Sequence, residues 1–323
     1  MSMRRFLPLL LLCAVAVPAT SASAAYKIGI SEQQPTVFTN PLFKPLKMKM
    51  ARFVTPWDSV NDGRVPDLNS LITWVDEARK VHARILIAFQ ASQTEGQQMK
   101  APTLGQYTAM LKRFKARFPY IKDIQPWNEA NRCQKRDPAT NFVIGEPICK
   151  KPKLAAQYYM AARKVFPSSK GYKVTGLDIL DGANITCKQV YCPLTYIRQF
   201  MKYAKPRPKY WGIHNYADTN RFDTKRTKAL IKATKSGDIW LTETGGIVSL
   251  GKNFPFSTSR AAKALGCMFT LAKSNRRISR LYVYQFYGLP KGKLFDAGLI
   301  SSTGKKRPGY DVVKKRKARR CKK

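Results

Sequence analysis

Short apolar runs alternate with amphipathic stretches along most of the chain. Compact apolar runs predict buried strands, and apolar residues recurring every three or four positions predict helices. The stretch from Thr103 to Phe118, for example, places Tyr107, Leu111 and Phe114 on one side of a helix. The alternation therefore predicts a strand followed by a helix, repeated along the chain.

The predicted strands cover 26–31, 47–54, 83–91, 124–129, 172–180, 210–216, 239–244 and 278–286. The predicted helices cover 67–80, 103–118, 153–166, 194–204, 227–234, 259–273 and 310–320, the first with Asp67 as its N-cap. Eight strands separated by helices predict an α/β fold, a single (β/α)8 TIM barrel. A doubly wound sheet is the alternative. It is disfavoured because the turn after the first strand, 30–40, has no glycine-rich phosphate loop.

The first residues follow a different pattern. Arg4 and Arg5 precede an apolar run from Phe6 to Val17, and Ala22-Ser-Ala24 follows it. This order is typical of a secretory signal and predicts cleavage after Ala24. Residues 25–323 would then form one barrel domain with a basic C-terminal helix. No later stretch approaches the roughly 18 apolar residues of a membrane helix, so we expect a secreted, extracellular protein with no membrane partner.

Of the seven cysteines, only Cys13 lies in this leader. The remaining six are Cys133, Cys149, Cys187, Cys192, Cys267 and Cys321. An even number in an exported chain favours disulfides, and six cysteines allow fifteen pairings. Closure of short loops favours Cys133 with Cys149 and Cys187 with Cys192, which leaves Cys267 for Cys321; free buried thiols are the alternative. We expect no metal, because His82 and His214, the only histidines, are not at ligand spacing from a cysteine pair.

The formal net charge of +40 is extreme and includes a dense basic run at 314–320. Such a surface attracts polyanions. No basic segment accompanies a nucleic-acid-reading motif, so we expect no specific nucleic-acid partner. Anionic cell-wall polymers or acidic polysaccharides suit an exported protein better, and a solvated surface adapted to an unusual habitat is the alternative.

Polar side chains collect at the carboxyl ends of the predicted strands, where a TIM barrel forms its active site. They are Glu32, Arg52, Gln90, Asn128, Glu129, His214, Tyr216, Glu243 and Gln285. Glycoside cleavage needs one carboxylic acid and a second carboxylate that attacks or activates water. Glu129 and Glu243, on the fourth and seventh strands, would face each other across a substrate. We also expect the charge of Glu243 to raise the pKa of Glu129.

Two segments carry a family resemblance. Trp127-Asn-Glu129 together with Thr242-Glu243-Thr-Gly resembles the signatures of clan A retaining glycoside hydrolases, which include cellulase-like and β-xylosidase-like families. Residues 295–310 are similar to the post-barrel segment of several such families. The resemblance implies a retaining glycosidase that acts on a β-linked poly- or oligosaccharide without a cofactor. It implies Glu129 as acid/base, Glu243 as nucleophile and Asn128 as donor to the neighbouring sugar hydroxyl.

The same resemblance assigns the surrounding residues. Arg52 would orient Glu243, while His214 and Tyr216 would bridge the carboxylates and the sugar. Many clan members place a tryptophan on the eighth strand beneath the sugar, where this chain has Tyr284 or Phe286. Trp57, just beyond the second strand, is another candidate stacking platform, and Gln90 is a further candidate contact at the end of the third.

Other functions remain as alternatives. A catalytically silent barrel could bind anionic wall polymers through its basic surface, although a binder has no need of the carboxylate pair. Transglycosylation shares the glycosyl-enzyme with hydrolysis, so sequence does not separate the two. The run Asp178-Ile-Leu-Asp181 is similar to the acidic strand of family eighteen chitinases, but Ala183 replaces the required glutamate. We expect a monomer.

Overall fold

A computed structural model describes residues 26–61, 65–136, 143–182, 184–185, 187–290 and 295–322. The predicted signal, 1–24, lies outside the described residues. In chain order the strands are β1 Lys27–Ser31, β2 Met50–Pro56, β3 Arg84–Gln90, β4 Asp123–Gln125, β5 Lys135–Arg136, β6 Val143–Ile144, β7 Lys173–Val174, β8 Asp178–Leu180, β9 Tyr210–His214, β10 Asp238–Thr244, β11 Ser249–Leu250, β12 Ile278–Tyr284 and β13 Phe295–Asp296.

Eight α-helices and three short 3-10 helices complete the described part of the fold. The α-helices are α1 Val65–Lys80, α2 Leu104–Arg117, α3 Pro152–Val165, α4 Pro193–Tyr203, α5 Tyr216–Arg221, α6 Lys225–Ala233, α7 Thr258–Lys273 and α8 Pro308–Lys314. The 3-10 helices are Pro35–Val37, Lys44–Leu46 and Ser168–Lys170. None of the helices in the described ranges is both long and apolar enough to cross a membrane.

Nine parallel strands form the central sheet, in the order β7-β4-β3-β2-β1-β12-β10-β9-β8. Two of them, β7 and β8, are parts of the predicted fifth strand. The Thr175 N–H donates to Ile124 O of β4 at 3.0 Å, and the next N–H, of Gly176, donates to Tyr210 O of β9 at 2.8 Å. Between these two residues the chain thus changes its hydrogen-bonding partner from β4 to β9, and the sheet curls into the predicted (β/α)8 barrel.

Several predicted boundaries were wrong. The fourth strand ends at Gln125 rather than Glu129. Asp67 does not cap α1, because the helix begins at Val65 and Asp67 lies in its first turn. The sixth strand ends at His214, and Tyr216 begins the short helix α5, which the sequence pattern missed. The basic C-terminal helix ends at Lys314 rather than Arg320. By contrast, Thr103 caps α2 through a capping box with Gln106.

The core lies in two places. A large apolar cluster fills the space between the sheet and the helices, and a smaller one of Met50, Leu86, Trp240 and Tyr282 fills the inside of the barrel. Below this inner cluster, at the amino ends of the strands, Arg280 lies 3.7 Å from the Trp240 ring centroid and donates to Asp123. The inner cluster and this ion pair close the lower end, so the polar residues described next open only at the carboxyl ends.

The described chain contains the three predicted disulfides: Cys133–Cys149 and Cys187–Cys192, which closure of short loops favours, and Cys267–Cys321, the remaining pair. The first ties together the two ends of the loop after β4. The third ties the segment after α8 to the middle of α7.

Candidate active site

Arg52 is the centre of a polar layer just above the apolar barrel interior. Because side chains alternate along a strand, Arg52 points inward like Met50, two residues earlier. Its guanidinium is fully buried and donates to Ser31, Gln125, Asn128, Asp178 and Glu243 at distances of 2.7–3.0 Å. A buried cation is tolerated only when it is paired, and Asp178 and Glu243 provide the two countercharges.

Gly212 of β9 makes room for this layer. A Cβ at this position would lie 2.7 Å from Gln125 Nε2 and 2.9 Å from Thr242 Oγ1, which is too close for either atom. The absence of a side chain therefore lets Gln125, Asp178 and Thr242 meet inside the barrel. His214, two residues further along β9, points into the same layer.

Glu243 lies at the end of β10. Strict alternation after Trp240 and Thr242 would turn Glu243 outward, but the register of β10 shifts against both neighbouring strands between Trp240 and Thr244. Its carboxylate accepts hydrogen bonds from Arg52 Nη1 at 2.8 Å and from the Tyr216 hydroxyl at 3.0 Å. Each carboxylate oxygen therefore has its own donor.

The start of α5 positions Tyr216. The buried carboxylate of Asp181 accepts the N–H groups of Ala217 and Asp218 at 2.9–3.2 Å, which fixes the first turn of the helix. Burial raises the pKa of Asp181 to about 7, against these two hydrogen bonds. The nearby Glu243 charge and burial both raise the pKa of Tyr216, burial more, so its hydroxyl remains a donor.

Glu129 lies in the turn after β4 with φ of +37°, a region that non-glycine residues rarely adopt. Two backbone bonds hold the turn: the Asn128 N–H donates to Phe89 O at 2.6 Å, and the Ala130 N–H donates to Asp178 O at 3.1 Å. The Glu129 side chain points into the mouth of the barrel. Oε1 lies 3.0 Å from His214 Nδ1, and Oε2 accepts from Arg132 Nη1 at 2.8 Å.

His214 joins Glu129 to Asp178. Its Nε2 lies 2.8 Å from Asp178 Oδ2, and Thr242 donates to the other oxygen of Asp178. Burial would lower the pKa of His214, but the charges of Asp178 and Glu243, with hydrogen bonds to Asp178 and Glu129, raise it to about 10. The imidazole is therefore protonated and donates from both nitrogens.

The expected rise in the pKa of Glu129 was wrong for the free protein. Burial alone would raise this pKa, but the charges of Arg132 and His214 and the hydrogen bonds that they donate lower it to about 2. The sequence offered Glu243 as the nearest charge, whereas in the fold two cations contact Glu129 directly. The carboxyl group is therefore ionised in this state.

The two glutamates and His214 are also a group of potential metal ligands. Within the described residues, one ligand atom of each lies within 4.8 Å of the others. Both nitrogens of His214 carry protons directed at carboxylates, so neither offers a lone pair to a metal. Arg52 and Arg132 supply the positive charge that a metal would bring. The group has the chemistry of an ion-pair network.

The other predicted contacts lie around this network at different distances. Asn128 accepts from Arg52 at 2.7 Å. The ring of Tyr284 lies at an angle to that of Tyr216, with centroids 6.4 Å apart. Trp57 and Gln90 pair through a backbone bond at the ends of β2 and β3, and among the described residues no hydrogen bond joins either to the glutamates. The indole N–H of Trp57 is buried and has no hydrogen-bond partner in the part of the chain that the structure describes.

Four residues of the site were missed from the sequence. The sequence pattern places Asp178 in a chitinase-like run and Gln125 in an apolar strand. Arg132 and Glu146 lie in the loop after β4, whose conformation the sequence pattern does not predict. Glu146 is buried beneath the turn, where its Oε2 accepts from Trp127 Nε1 at 2.8 Å and from the Ala91 N–H at 3.0 Å. Burial raises the pKa of Glu146 to about 8.

Comparisons with solved structures show the same fold in several glycoside hydrolases. A GH5_18 protein from Streptomyces cattleya, in complex with GlcNAc, matches with a TM-score of 0.64 and 11% identity over 91% of this chain and 80% of that chain. Xylanase 10B from Thermotoga maritima matches with a TM-score of 0.59 and 12% identity over 90% and 94%. A family 39 glycoside hydrolase from Bacteroides cellulosilyticus matches with a TM-score of 0.60 and 15% identity over 90% and 63%.

No curated protein matched the chain in a sequence comparison. The family model described as "Glycosyl hydrolase catalytic core" matches residues 144–308, just over half of the 323-residue chain. The matched region contains β7 to β13, and with them His214, Tyr216 and Glu243. The predicted resemblance to glycoside hydrolases is confirmed: the chain is a glycosidase and belongs to the glycosyl hydrolase catalytic core family.

Proposed function

We propose that the protein hydrolyses a β-linked poly- or oligosaccharide with retention of anomeric configuration, using Glu243 as nucleophile and Glu129 as acid/base. The closeness of the two carboxylates carries the proposal, because ligand oxygens of the two groups lie within 4.8 Å of each other. Retaining glycosidases hold their carboxyl groups about 5–5.5 Å apart, and inverting ones about 6.5–9.5 Å apart. The closeness of these oxygens favours the retaining arrangement over the wider one, which seats a water beside the anomeric carbon.

In the first step, Glu129, which is ionised in the free protein, first takes up a proton from solvent. It transfers this proton to the leaving oxygen as that oxygen's bond to the anomeric carbon breaks and a Glu243 oxygen bonds to the same carbon. Arg52 holds Oε2 of Glu243 and Tyr216 holds Oε1, so the carboxylate keeps one orientation during the attack. In the second step, Glu129 takes a proton from water. That water attacks the anomeric carbon and releases Glu243.

His214 and Asp178 position the acid. Asp178 fixes the imidazolium from the buried side, and His214 in turn fixes Oε1 of Glu129. The other oxygen, Oε2, faces the more exposed side, where a leaving group would sit. Asn128 is held by Arg52 through its oxygen, which leaves its amide N–H groups to donate to a sugar hydroxyl.

Azide rescue of alanine variants tests the assignment. On aryl β-glycosides, Glu243→Ala with azide should form an α-glycosyl azide, because azide occupies the space of the nucleophile. Glu129→Ala with azide should form a β-glycosyl azide from the glycosyl-enzyme. Glu77→Gln on the outer face of α1 is the matched control and should keep full activity. Full activity in either Glu129→Gln or Glu243→Gln, with an unchanged unfolding midpoint, would refute the proposed roles.

Two aromatic residues are candidates for the surface on which the sugar stacks. Tyr284 ends β12 and Trp57 follows β2, the strands on either side of β1, and an aromatic face at either place suits the apolar face of a pyranose. The similar structures named above carry different sugar specificities in their names, so fold alone does not select one. Loss of binding in Tyr284→Ala but not in Trp57→Ala would identify the platform next to Glu243.

We also propose that the protein is exported. The basic, apolar and small-residue order of 1–24 supports export, and so do three disulfides, which persist in oxidising compartments. Recovery of the chain from culture medium with Ala25 as its first residue would support this proposal, and retention of the full chain inside cells would contradict it.

A further inference from the structure

Arg132 contacts the proposed acid from the solvent side. Its side chain is 44% exposed, whereas that of Glu129 is 8% exposed, and the two meet at 2.8 Å. The backbone of Arg132 is fixed on both sides: its N–H donates to Glu129 O at 2.8 Å, and its carbonyl accepts from the Glu146 N–H at 2.7 Å. Cys133, the next residue, is in a disulfide with Cys149. The side chain can therefore swing while its attachment point stays in place.

The pairing with Arg132 conflicts with the acid role. An acid must carry a proton and present an oxygen to the leaving group, but both oxygens of Glu129 are occupied by cations. His214 is fully buried and held by Asp178, so it stays. Arg132 is the partner that must leave Oε2 before Glu129 can work.

Neutral sugar hydroxyls compete poorly for a guanidinium that already has a carboxylate, because charge-assisted hydrogen bonds are roughly twice as strong as neutral ones. A carboxylate or sulfate on the substrate competes on equal terms, and the planar guanidinium fork binds such groups through two parallel hydrogen bonds. The net charge of +40 also concentrates anionic polymers near the protein.

We propose that Arg132 binds an anionic substituent, a carboxylate or a sulfate, on the leaving-group side of the substrate, and that this exchange of partners frees Glu129 to act as acid. The substrate class is therefore an acidic glycan. The inference rests on the proposed role of Glu129.

The charged and titratable groups that face Glu129 come from several elements. They are Arg52 on β2, Arg132 and Glu146 in the loop after β4, His214 on β9, Tyr216 at the start of α5, Glu243 on β10 and Tyr284 on β12. Only Arg132 among them is more than a third exposed, so only its contact can be exchanged for a substrate group without moving the barrel.

The test uses full-length protein and pairs of substrates that differ only in charge. Each pair is a β-linked polymer containing uronic acid and its carboxyl-reduced counterpart, and a sulfated form of the reduced polymer separates sulfate from carboxylate. The wild type should show a kcat/KM roughly 10- to 100-fold higher on the anionic member, the range expected for hydrogen bonds to a charged group. Arg132→Gln should lose this ratio, and Arg132→Lys should keep part of it.

Arg117→Gln at the end of α2 is the matched control, since it removes one exposed charge from the end of the barrel away from the mouth. If the preference came only from general attraction by the basic surface, both Arg→Gln changes would lower the kcat/KM ratio equally. Release of the acid also predicts a pH effect: on the neutral substrate, the alkaline limb of kcat/KM should lie at higher pH in Arg132→Gln than in the wild type.

Equal kcat/KM on charged and reduced polymers in the wild type would overturn the inference, and so would a parallel loss on both in Arg132→Gln. The preference can also be measured without turnover, by calorimetric binding of acidic and reduced oligosaccharides to Glu243→Gln. If the preference for the acidic oligosaccharide does not depend on Arg132, the inference is contradicted. Failure of the proposed function gives a different result, namely retained hydrolysis in Glu129→Gln.

Discussion

Replacement of Glu146 by glutamine should remove the loss of stability that Glu146 causes as the pH rises. In the wild type, burial raises the pKa of Glu146 to about 8, against the hydrogen bonds from Trp127 and Ala91. The folded protein therefore holds a proton that the unfolded chain releases above its ordinary pKa of 4.5. Stability from this group is complete below pH 4.5, falls as the pH rises, and is lost above the folded pKa.

The size of the effect follows from the shift. Moving from 4.5 to about 8 corresponds to roughly 5 kcal/mol at 1.36 kcal/mol per pKa unit, an upper limit because buried sites relax. Glutamine is neutral at every pH, and its carbonyl oxygen can accept both hydrogen bonds that Oε2 of Glu146 accepts. Glu146→Gln should thus match the wild type near pH 4.5 and exceed its unfolding free energy by at least about 2 kcal/mol at pH 9.

Urea unfolding of both proteins between pH 4.5 and pH 9, without reductant, measures this difference. Other titrating groups contribute equally to the two proteins and cancel. A difference that stays constant across the range would refute the reasoning, since it would mean that Glu146 has the same pKa folded and unfolded. A difference of the opposite slope would mean that the ionised form is the stabilised one.

Three further outcomes are expected. Glu32→Gln should lower the unfolding free energy by roughly 2–4 kcal/mol in the same urea assay at a pH where Glu32 is ionised, because each carboxylate oxygen of Glu32 accepts two backbone N–H groups and an amide NH₂ would face one of these pairs. Tyr216→Phe should reduce kcat/KM roughly 10- to 100-fold with little change in melting temperature, since only the hydrogen bond to Glu243 is lost. Replacing Cys267 and Cys321 by serine should cost about 4 kcal/mol in unfolding free energy, from the loop of 54 residues that the disulfide closes.

Sequence pattern was sufficient for the barrel and for much of its mouth. The order of strands and helices followed from periodicity, and the rule that active sites form at carboxyl strand ends selected Arg52, Glu129, His214 and Glu243, which the fold brings together. That rule does not select Asp178, because its strand is broken at 175–177. The pattern predicts one continuous strand there, whereas in the fold Asp178 belongs to a separate strand and lies inside the barrel.

The pKa of Glu129 could not be predicted from the sequence pattern. Its value depends on which charges make contact, and Arg132 reaches it through a turn with positive φ at Glu129 that no periodicity predicts. The run Tyr210-Trp-Gly-Ile213 predicts a strand, and the prediction extends that strand to Tyr216. The buried carboxylate of Asp181 instead starts a helix there, and only the fold brings Asp181 to that turn.

The segment after α8 is held against the outside of the barrel by hydrogen bonds and a disulfide. Arg316 donates to Leu46 O, the Arg319 N–H donates to Gly266 O at 2.9 Å, and Cys321 is linked to Cys267. The backbone that carries the lysines and arginines of 314–320 is consequently held in place. An acidic polymer that meets them would encounter a preordered array, with little chain ordering to oppose binding, and would orient the whole barrel as it attached.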